Sequence, residues 1–97
     1  MLHKLVSKRS GAAALAQHML PGYRYLSLEQ PRKRDEAVND PERFLSRVAK
    51  GAPGVILDEV QRAPELFSYL QGFVDARRGG PFVLTGSQNF LLSRSIT

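Results

Sequence analysis

Apolar residues in this chain form short runs that suit strands and spaced stripes that suit helices. The clearest short run is residues 55–57, which follow Pro53-Gly54 and meet two acids, Asp58 and Glu59. A β-branched apolar run bordered by turn residues is typical of a buried strand. Strands buried on both faces belong to parallel sheets that helices cover. Because ligands bind beyond the carboxyl ends of such strands, we expect both acids at a ligand-binding edge.

Predicted strands and helices alternate along the rest of the chain. Further strands are predicted at residues 1–6, 23–28 and 81–85. Helices are predicted at residues 12–20, from Asn39-Asp40-Pro41 to residue 50, after Pro64, and from Phe90 onward. The remaining segments are interpreted as a charged loop at 29–34, a short helical turn at 35–39 and a loop at 60–63. This order predicts one α/β domain with a parallel sheet and right-handed crossovers.

Two of the predicted helices carry an apolar stripe that we expect to face the core. The stripes consist of Phe44, Leu45 and Val48 in one helix, and of Leu66, Phe67, Leu70, Phe73 and Val74 in the other. The basic residues of the first helix, expected to face solvent, are Arg43, Arg47 and Lys50.

The amino-acid composition excludes several classes of function. The chain has 97 residues, enough for one small domain. It has no cysteine, which excludes a disulfide framework, a thiol nucleophile and a cysteine-built zinc site. His3 and His18 are far apart and lack the spacing of metal ligands, so both are predicted to be surface residues.

The formal net charge of +5 permits contact with nucleic acid or another polyanion. The basic residues are scattered, however, and no aromatic residues alternate with them as in a base-stacking surface. A solvated basic surface is therefore favoured, with nucleic-acid binding as a weaker alternative. No apolar run approaches the roughly 20 residues of a membrane span, and the first residues do not form a signal peptide. We expect a cytoplasmic protein without membrane contact.

Two adjacent carboxylates at the end of a strand suit phosphate chemistry. One acid can hold Mg²⁺, directly or through water, and the next can orient or deprotonate an attacking water. The alternative is a strand that simply ends at two solvated acids. The strand at 81–85 also ends in a polar turn, Gly86 to Asn89, and if the two strands are neighbours both polar ends share one crevice.

Three segments carry a resemblance to a known family. In chain order they read YRYLSLEQPRKRDEAVNDPERFL, GVILDEVQRAPELF and FVLTGSQNF. Together they closely resemble the core of AAA+ ATPases, in the prokaryotic group that joins an N-terminal P-loop domain to a nuclease-like C-terminal domain. The YRYLSL segment is similar to that group's second strand with the loop and helix after it. The GVILDE segment resembles its Walker B motif, and FVLTGSQNF resembles its sensor 1 strand.

The resemblance implies ATP and Mg²⁺ as cofactors and assigns roles to several residues. Asp58 would be the Mg²⁺-associated acid, and Glu59 would polarise the attacking water. The sensor of the γ-phosphate would be Ser87, Gln88 or Asn89. Gln61 and Arg62 match the motif, but the resemblance gives them no role.

The start of the chain departs from the family pattern. A P-loop has the sequence G-x-x-x-x-G-K-[ST], in which Lys neutralises phosphate charge and the hydroxyl binds Mg²⁺. In register with the family, Gly11 takes the second glycine position, while Ala12 and Ala13 replace the lysine and the hydroxyl residue. Val6 replaces the first glycine. A plain helix N-terminus is favoured here, and the remaining candidates for phosphate contact are Gly11, Lys8 and Arg9.

The resulting expectation is a partial AAA+-like domain over residues 1–97. Its parts would be a degenerate P-loop near 6–13, a Walker B motif at 54–59 and a sensor 1 strand at 82–89. Nucleotide hydrolysis is expected to be impaired, so whether the chain is an enzyme stays open. The alternative is a non-catalytic interaction module that self-associates or binds a partner protein, through an exposed sheet edge or an apolar patch.

Overall fold

The computed structural model describes residues 3–7, 12–76, 78–79 and 81–86, with the backbone alone at 3–7 and 12. In order, the strands and helices of these residues are β1 (His3–Ser7), α1 (Ala12–Met19), β2 (Arg24–Ser27), α2 (Pro31–Asn39), α3 (Pro41–Ala49), β3 (Val55–Asp58), a 3₁₀ turn (Val60–Arg62), α4 (Leu66–Asp75) and β4 (Phe82–Gly86). The helix expected from Phe90 lies outside the described residues.

The four strands form one parallel sheet in the order β1-β4-β3-β2. The predicted α/β fold is therefore confirmed. The register pairs Leu57 of β3 with Leu84 of β4, and Ser27 of β2 with Asp58 of β3. Strands β3 and β4 are thus neighbours at the centre of the sheet, and their carboxyl ends meet at one edge.

The strand order places helices on both faces of the sheet. The chain crosses from β1 to β2 in one direction, and then returns through β3 to β4 in the other. Crossover connections between parallel strands are right-handed. A helix that connects strands in one direction along the sheet therefore covers the opposite face from a helix that connects strands in the other direction. Accordingly, α1 contacts β3 and β4 from one side. The larger core forms on the other side, between the sheet and the helices α2, α3 and α4.

Successive residues along each strand point to opposite faces of the sheet. Val55 and Leu57 of β3 belong to the larger core, whereas Ile56 between them is buried but lies outside that cluster. The helix residues predicted to face the core are all buried, and Arg43, Arg47 and Lys50 are exposed as predicted. Hydrophobic burial therefore fixes which face each strand residue occupies, including the polar residues at the strand ends.

The sequence interpretation was wrong for residues 31–34, and the helical turn expected at 35–39 is the second half of a longer helix. Pro31 does not open a loop; it is the first residue of α2, which runs without a break to Asn39. Proline fits the first helical turn because its missing N–H group would have no partner there. Ala37 is fully buried and anchors α2 to the core. A single small apolar residue gives too weak a periodicity to predict this helix.

Helix α3 begins as predicted and is fixed at both ends. The Asp40 carboxylate accepts a hydrogen bond from the Arg43 N–H, which makes Asp40 the N-cap. At the other end, the Arg24 guanidinium donates to the carbonyl oxygens of Val48 and Lys50 at 2.8 and 3.0 Å. These carbonyls have no partner within the helix, so Arg24 satisfies them and ties β2 to α3.

None of the helices in the described part of the chain is long and apolar enough to cross a membrane.

Candidate functional site

Asp58 is the last residue of the central strand β3 and is almost completely buried. Its relative exposure is 4%. It follows Leu57 and alternates with it, so its side chain shares a face with Ile56, on the side of the sheet that α1 covers. A carboxylate at this depth loses its hydration and is tolerated only if hydrogen bonds replace that hydration.

Three donors near the ends of the strands surround this carboxylate. The Tyr25 hydroxyl of β2 donates to Oδ2 at 2.8 Å. The Thr85 hydroxyl of β4 donates to Oδ1, and the backbone N–H of Glu59 donates to the same oxygen at 2.9 Å. Hydrogen bonds to an ionised group each contribute about 1.5–3 kcal/mol. Asp58 therefore links β2, β3 and β4 at their carboxyl ends.

Glu59 turns the chain out of the sheet directly after Asp58. Its backbone is left-handed, with φ 57° and ψ 43°, and among the described residues it alone has a positive φ without being glycine. This conformation costs a residue with a side chain about 1–2 kcal/mol. The 3₁₀ turn Val60–Arg62 follows in place of the predicted loop, and the fully buried Val60 anchors it. Such strain persists only where the surrounding structure enforces it.

The Glu59 side chain is held over the sheet edge by the residues that follow it. The Gln61 amide nitrogen donates to Glu59 Oε1 at 2.5 Å, and Arg62 Nε lies 3.7 Å from the same oxygen. The other end of the Gln61 amide packs on Gly86, the last residue of β4. A Cβ atom at Gly86 would lie 2.5 Å from Gln61 Oε1. Gln61 therefore spans the gap between the ends of β3 and β4.

The structure describes only two of the predicted site residues. Asp58 and Glu59 lie at the carboxyl edge of the sheet beside the end of β4, and the alternative of two solvated acids is wrong for Asp58. The other candidates fall outside the described residues, so their positions and roles stay predictions: Gly11, Lys8, Arg9, Ser87, Gln88 and Asn89.

Sequence reasoning missed Tyr25 and Thr85, although a signal for Thr85 was present. The strand sequences RYLS, VILD and FVLT each end in a polar residue at the fourth position. Aligning these runs as parallel neighbours puts Ser27, Asp58 and Thr85 side by side. Tyr25 is two residues before Ser27 on the same face, and only the length of its side chain brings its hydroxyl to Asp58.

The acidic side chains at this edge have the chemistry of Mg²⁺ ligands. Carboxylate oxygens are the protein ligands that Mg²⁺ prefers, and Mg²⁺ in nucleotide sites takes its other ligands from phosphate and water. Among the described residues no group of three or more acids, histidines or cysteines could form an all-protein metal site. Asp58 and Glu59 could contribute carboxylate oxygens to a Mg²⁺ ion bound at this edge.

Removal of the Tyr25 hydroxyl tests the hydrogen bonds to Asp58. We expect Tyr25→Phe to lower the free energy of unfolding, measured by urea denaturation, by about 1–3 kcal/mol, because a buried carboxylate loses a donor. Tyr69→Phe is the matched control, since Tyr69 is 43% exposed and its loss should matter little. In an Asp58→Asn background the cost of Tyr25→Phe should shrink. An equal cost in both backgrounds would contradict the assignment.

Comparison with known proteins agrees with the geometry. A family model described as an AAA domain matches residues 7–97, from the end of β1 through β4 and beyond. Searches of curated proteins and of solved structures gave no match. Because the family model covers nearly the whole chain, the protein belongs to the AAA domain family.

Proposed function

We propose that this chain is an ATP-binding, ATPase-type domain with impaired hydrolysis. As an AAA domain it is ATPase-like in general character. The observation that carries the proposal is the buried Asp58 carboxylate, fixed by donors from β2 and β4 at the carboxyl edge of a parallel sheet. Ligands of open α/β sheets bind at that edge. We assign residues 54–59 as the Walker B motif and residues 82–89 as the sensor 1 strand, and we place the domain in the cytoplasm.

In this proposal the two acids have separate tasks. Asp58 holds Mg²⁺, directly or through water, from a position that its hydrogen bonds keep rigid. The ion, when bound with nucleotide, neutralises phosphate charge. Glu59 accepts a proton or hydrogen bond from the attacking water, and its side chain is only 14% exposed, which limits competing water. Ser87, Gln88 or Asn89 is proposed to contact the γ-phosphate.

Nucleotide hydrolysis is impaired in this proposal because the P-loop is degenerate. Ala12 and Ala13 occupy the positions where a P-loop has lysine and a hydroxyl residue. The missing lysine removes a charge that both binds the phosphates and stabilises the transferred phosphoryl group. Gly11, Lys8 and Arg9 remain as weaker phosphate contacts in this proposal.

Calorimetry with Mg-ATP tests the proposal. We expect a dissociation constant of about 0.1 mM or weaker, because the charge of the P-loop lysine is missing. The double substitution Ala12→Lys/Ala13→Thr should tighten binding at least about tenfold, which corresponds to about 1.4 kcal/mol.

The control is Asp58→Asn in that double variant, which should lose the Mg²⁺-dependent part of the gain. Low-micromolar binding by the unmodified chain would show that the P-loop register is wrong. If the double variant gains nothing, ATP is not the ligand of this edge.

A second candidate function is an interaction module, and two side chains of α1 favour it. Leu15 and Met19 are 59% and 68% exposed, and their spacing puts them on one helix face. Burial of a leucine or methionine stabilises a complex by about 1.5–3 kcal/mol. We propose a second copy of the chain as the partner.

Sedimentation velocity over a concentration series tests self-association. We expect the unmodified chain to form dimers as concentration rises, and Leu15→Ser/Met19→Ser to remain monomeric because the apolar face is lost. Val38→Ser is the control, since Val38 is exposed on a different helix. A chain that stays monomeric throughout, or one that dimerises equally well with both serines, would exclude this face.

A further inference from the structure

Gln61 contacts both strand ends of the site, and neither the family resemblance nor the proposed roles account for it. We propose that Gln61 is a positioning residue that holds the Glu59 carboxylate against the end of β4. The inference rests on the function proposed above, since it concerns the glutamate that would orient the attacking water. It adds a mechanical link between that glutamate and the strand leading to residues 87–89.

The two ends of the Gln61 amide make different contacts. The nitrogen donates to Glu59 Oε1 at 2.5 Å. The amide oxygen lies next to Gly86, 2.5 Å from the position that a Cβ atom would take at that residue. An amide neither gains nor loses a proton near neutral pH, so it orients the carboxylate and leaves its charge intact. A glutamate that is to take a proton from water must be ionised.

The Glu59 side chain can orient a water only while a directional contact keeps it in one position. A glutamate loses up to about 1.5–2 kcal/mol of rotamer entropy when it is fixed in this way. Arg62 Nε is 3.7 Å from Oε1, beyond hydrogen-bond distance, and the Arg62 side chain is 43% exposed. Its attraction is therefore screened by solvent. The Gln61 amide is the shorter and more directional of these two contacts.

Gly86 makes this arrangement possible and offers a way to break it from a distance. A methyl group at Gly86 would collide with the far end of a flexible side chain, so Gln61 can swing away at small cost. Gly86→Ala should therefore pull Gln61 off Glu59 without altering either residue. Conversely, any movement of the β4 end displaces Gln61 and with it the carboxylate.

The test combines hydrolysis with a measurement on the nucleotide-free chain. The steady-state rate of hydrolysis at saturating Mg-ATP is compared for the unmodified chain, Gln61→Ala, Gly86→Ala and the double variant. We expect each single substitution to lower the rate about tenfold, with the dissociation constant of Mg-ATP unchanged. The double variant should be no slower than Gln61→Ala, because both substitutions break one contact. Gln71→Ala is the matched control, since the Gln71 amide donates to Asp75 within α4.

NMR of the nucleotide-free chain gives the second readout. Gly86→Ala should shift the side-chain amide signals of Gln61 and the side-chain carboxyl signal of Glu59, whereas Gln71→Ala should shift neither. The inference is overturned if Gln61→Ala leaves the rate unchanged or raises it, or if the two losses multiply in the double variant. If no variant binds Mg-ATP, the proposed function fails. The NMR result then decides on the link itself, and unshifted Gln61 signals in Gly86→Ala would refute it.

Discussion

The buried carboxylate of Asp58 is the constraint on which the rest of this structure depends. An ionised group at that depth costs several kcal/mol unless hydrogen bonds compensate for its lost hydration. The compensation comes from β2 through Tyr25, from β4 through Thr85 and from the N–H of Glu59. The Tyr25 and Thr85 hydroxyls reach Asp58 only if the strands are parallel and in the observed register, whereas the N–H of Glu59 is adjacent in sequence. A slip of one residue would turn these side chains to opposite faces and remove both hydroxyl donors from the carboxylate.

The same constraint separates a rigid part of the site from a strained part. Asp58 ends the sheet and is fixed from both neighbouring strands, whereas Glu59 begins a turn in a left-handed conformation. Buried Val60 and the Gln61 amide hold that turn in place. In the function proposed above, this division suits phosphate chemistry, because Asp58 would stay fixed as a metal ligand while Glu59 would be aimed at the attacking water. The fold thus supplies two carboxylates from adjacent residues with different mechanical freedom.

Much of this arrangement was predictable from the sequence, and the exceptions have physical causes. The runs VIL and FVL predicted two strands because burial on both faces leaves no polar position within them, and the structure shows that these strands are neighbours. The roles of Tyr25 and Gln61 were not predictable, since they depend on side-chain reach and on one unusual backbone angle at Glu59. The first half of helix α2 was missed because Pro31 fits a loop as easily as a first helical turn, and Ala37 alone marks the buried face of the helix.

The most direct test asks where a metal–nucleotide complex meets this chain. Mn²⁺ can replace Mg²⁺, and its unpaired electrons broaden the NMR signals of nearby nuclei even when binding is weak. During titration with Mn-ATP, the amide signals of Asp58, Glu59 and Thr85 should broaden first, because these residues line the edge where the ion is expected. Broadening confined to the charged groove between α2 and α3, which Asp35 and Asp40 line, would contradict the account. So would sharp signals at Asp58 and Glu59 throughout the titration.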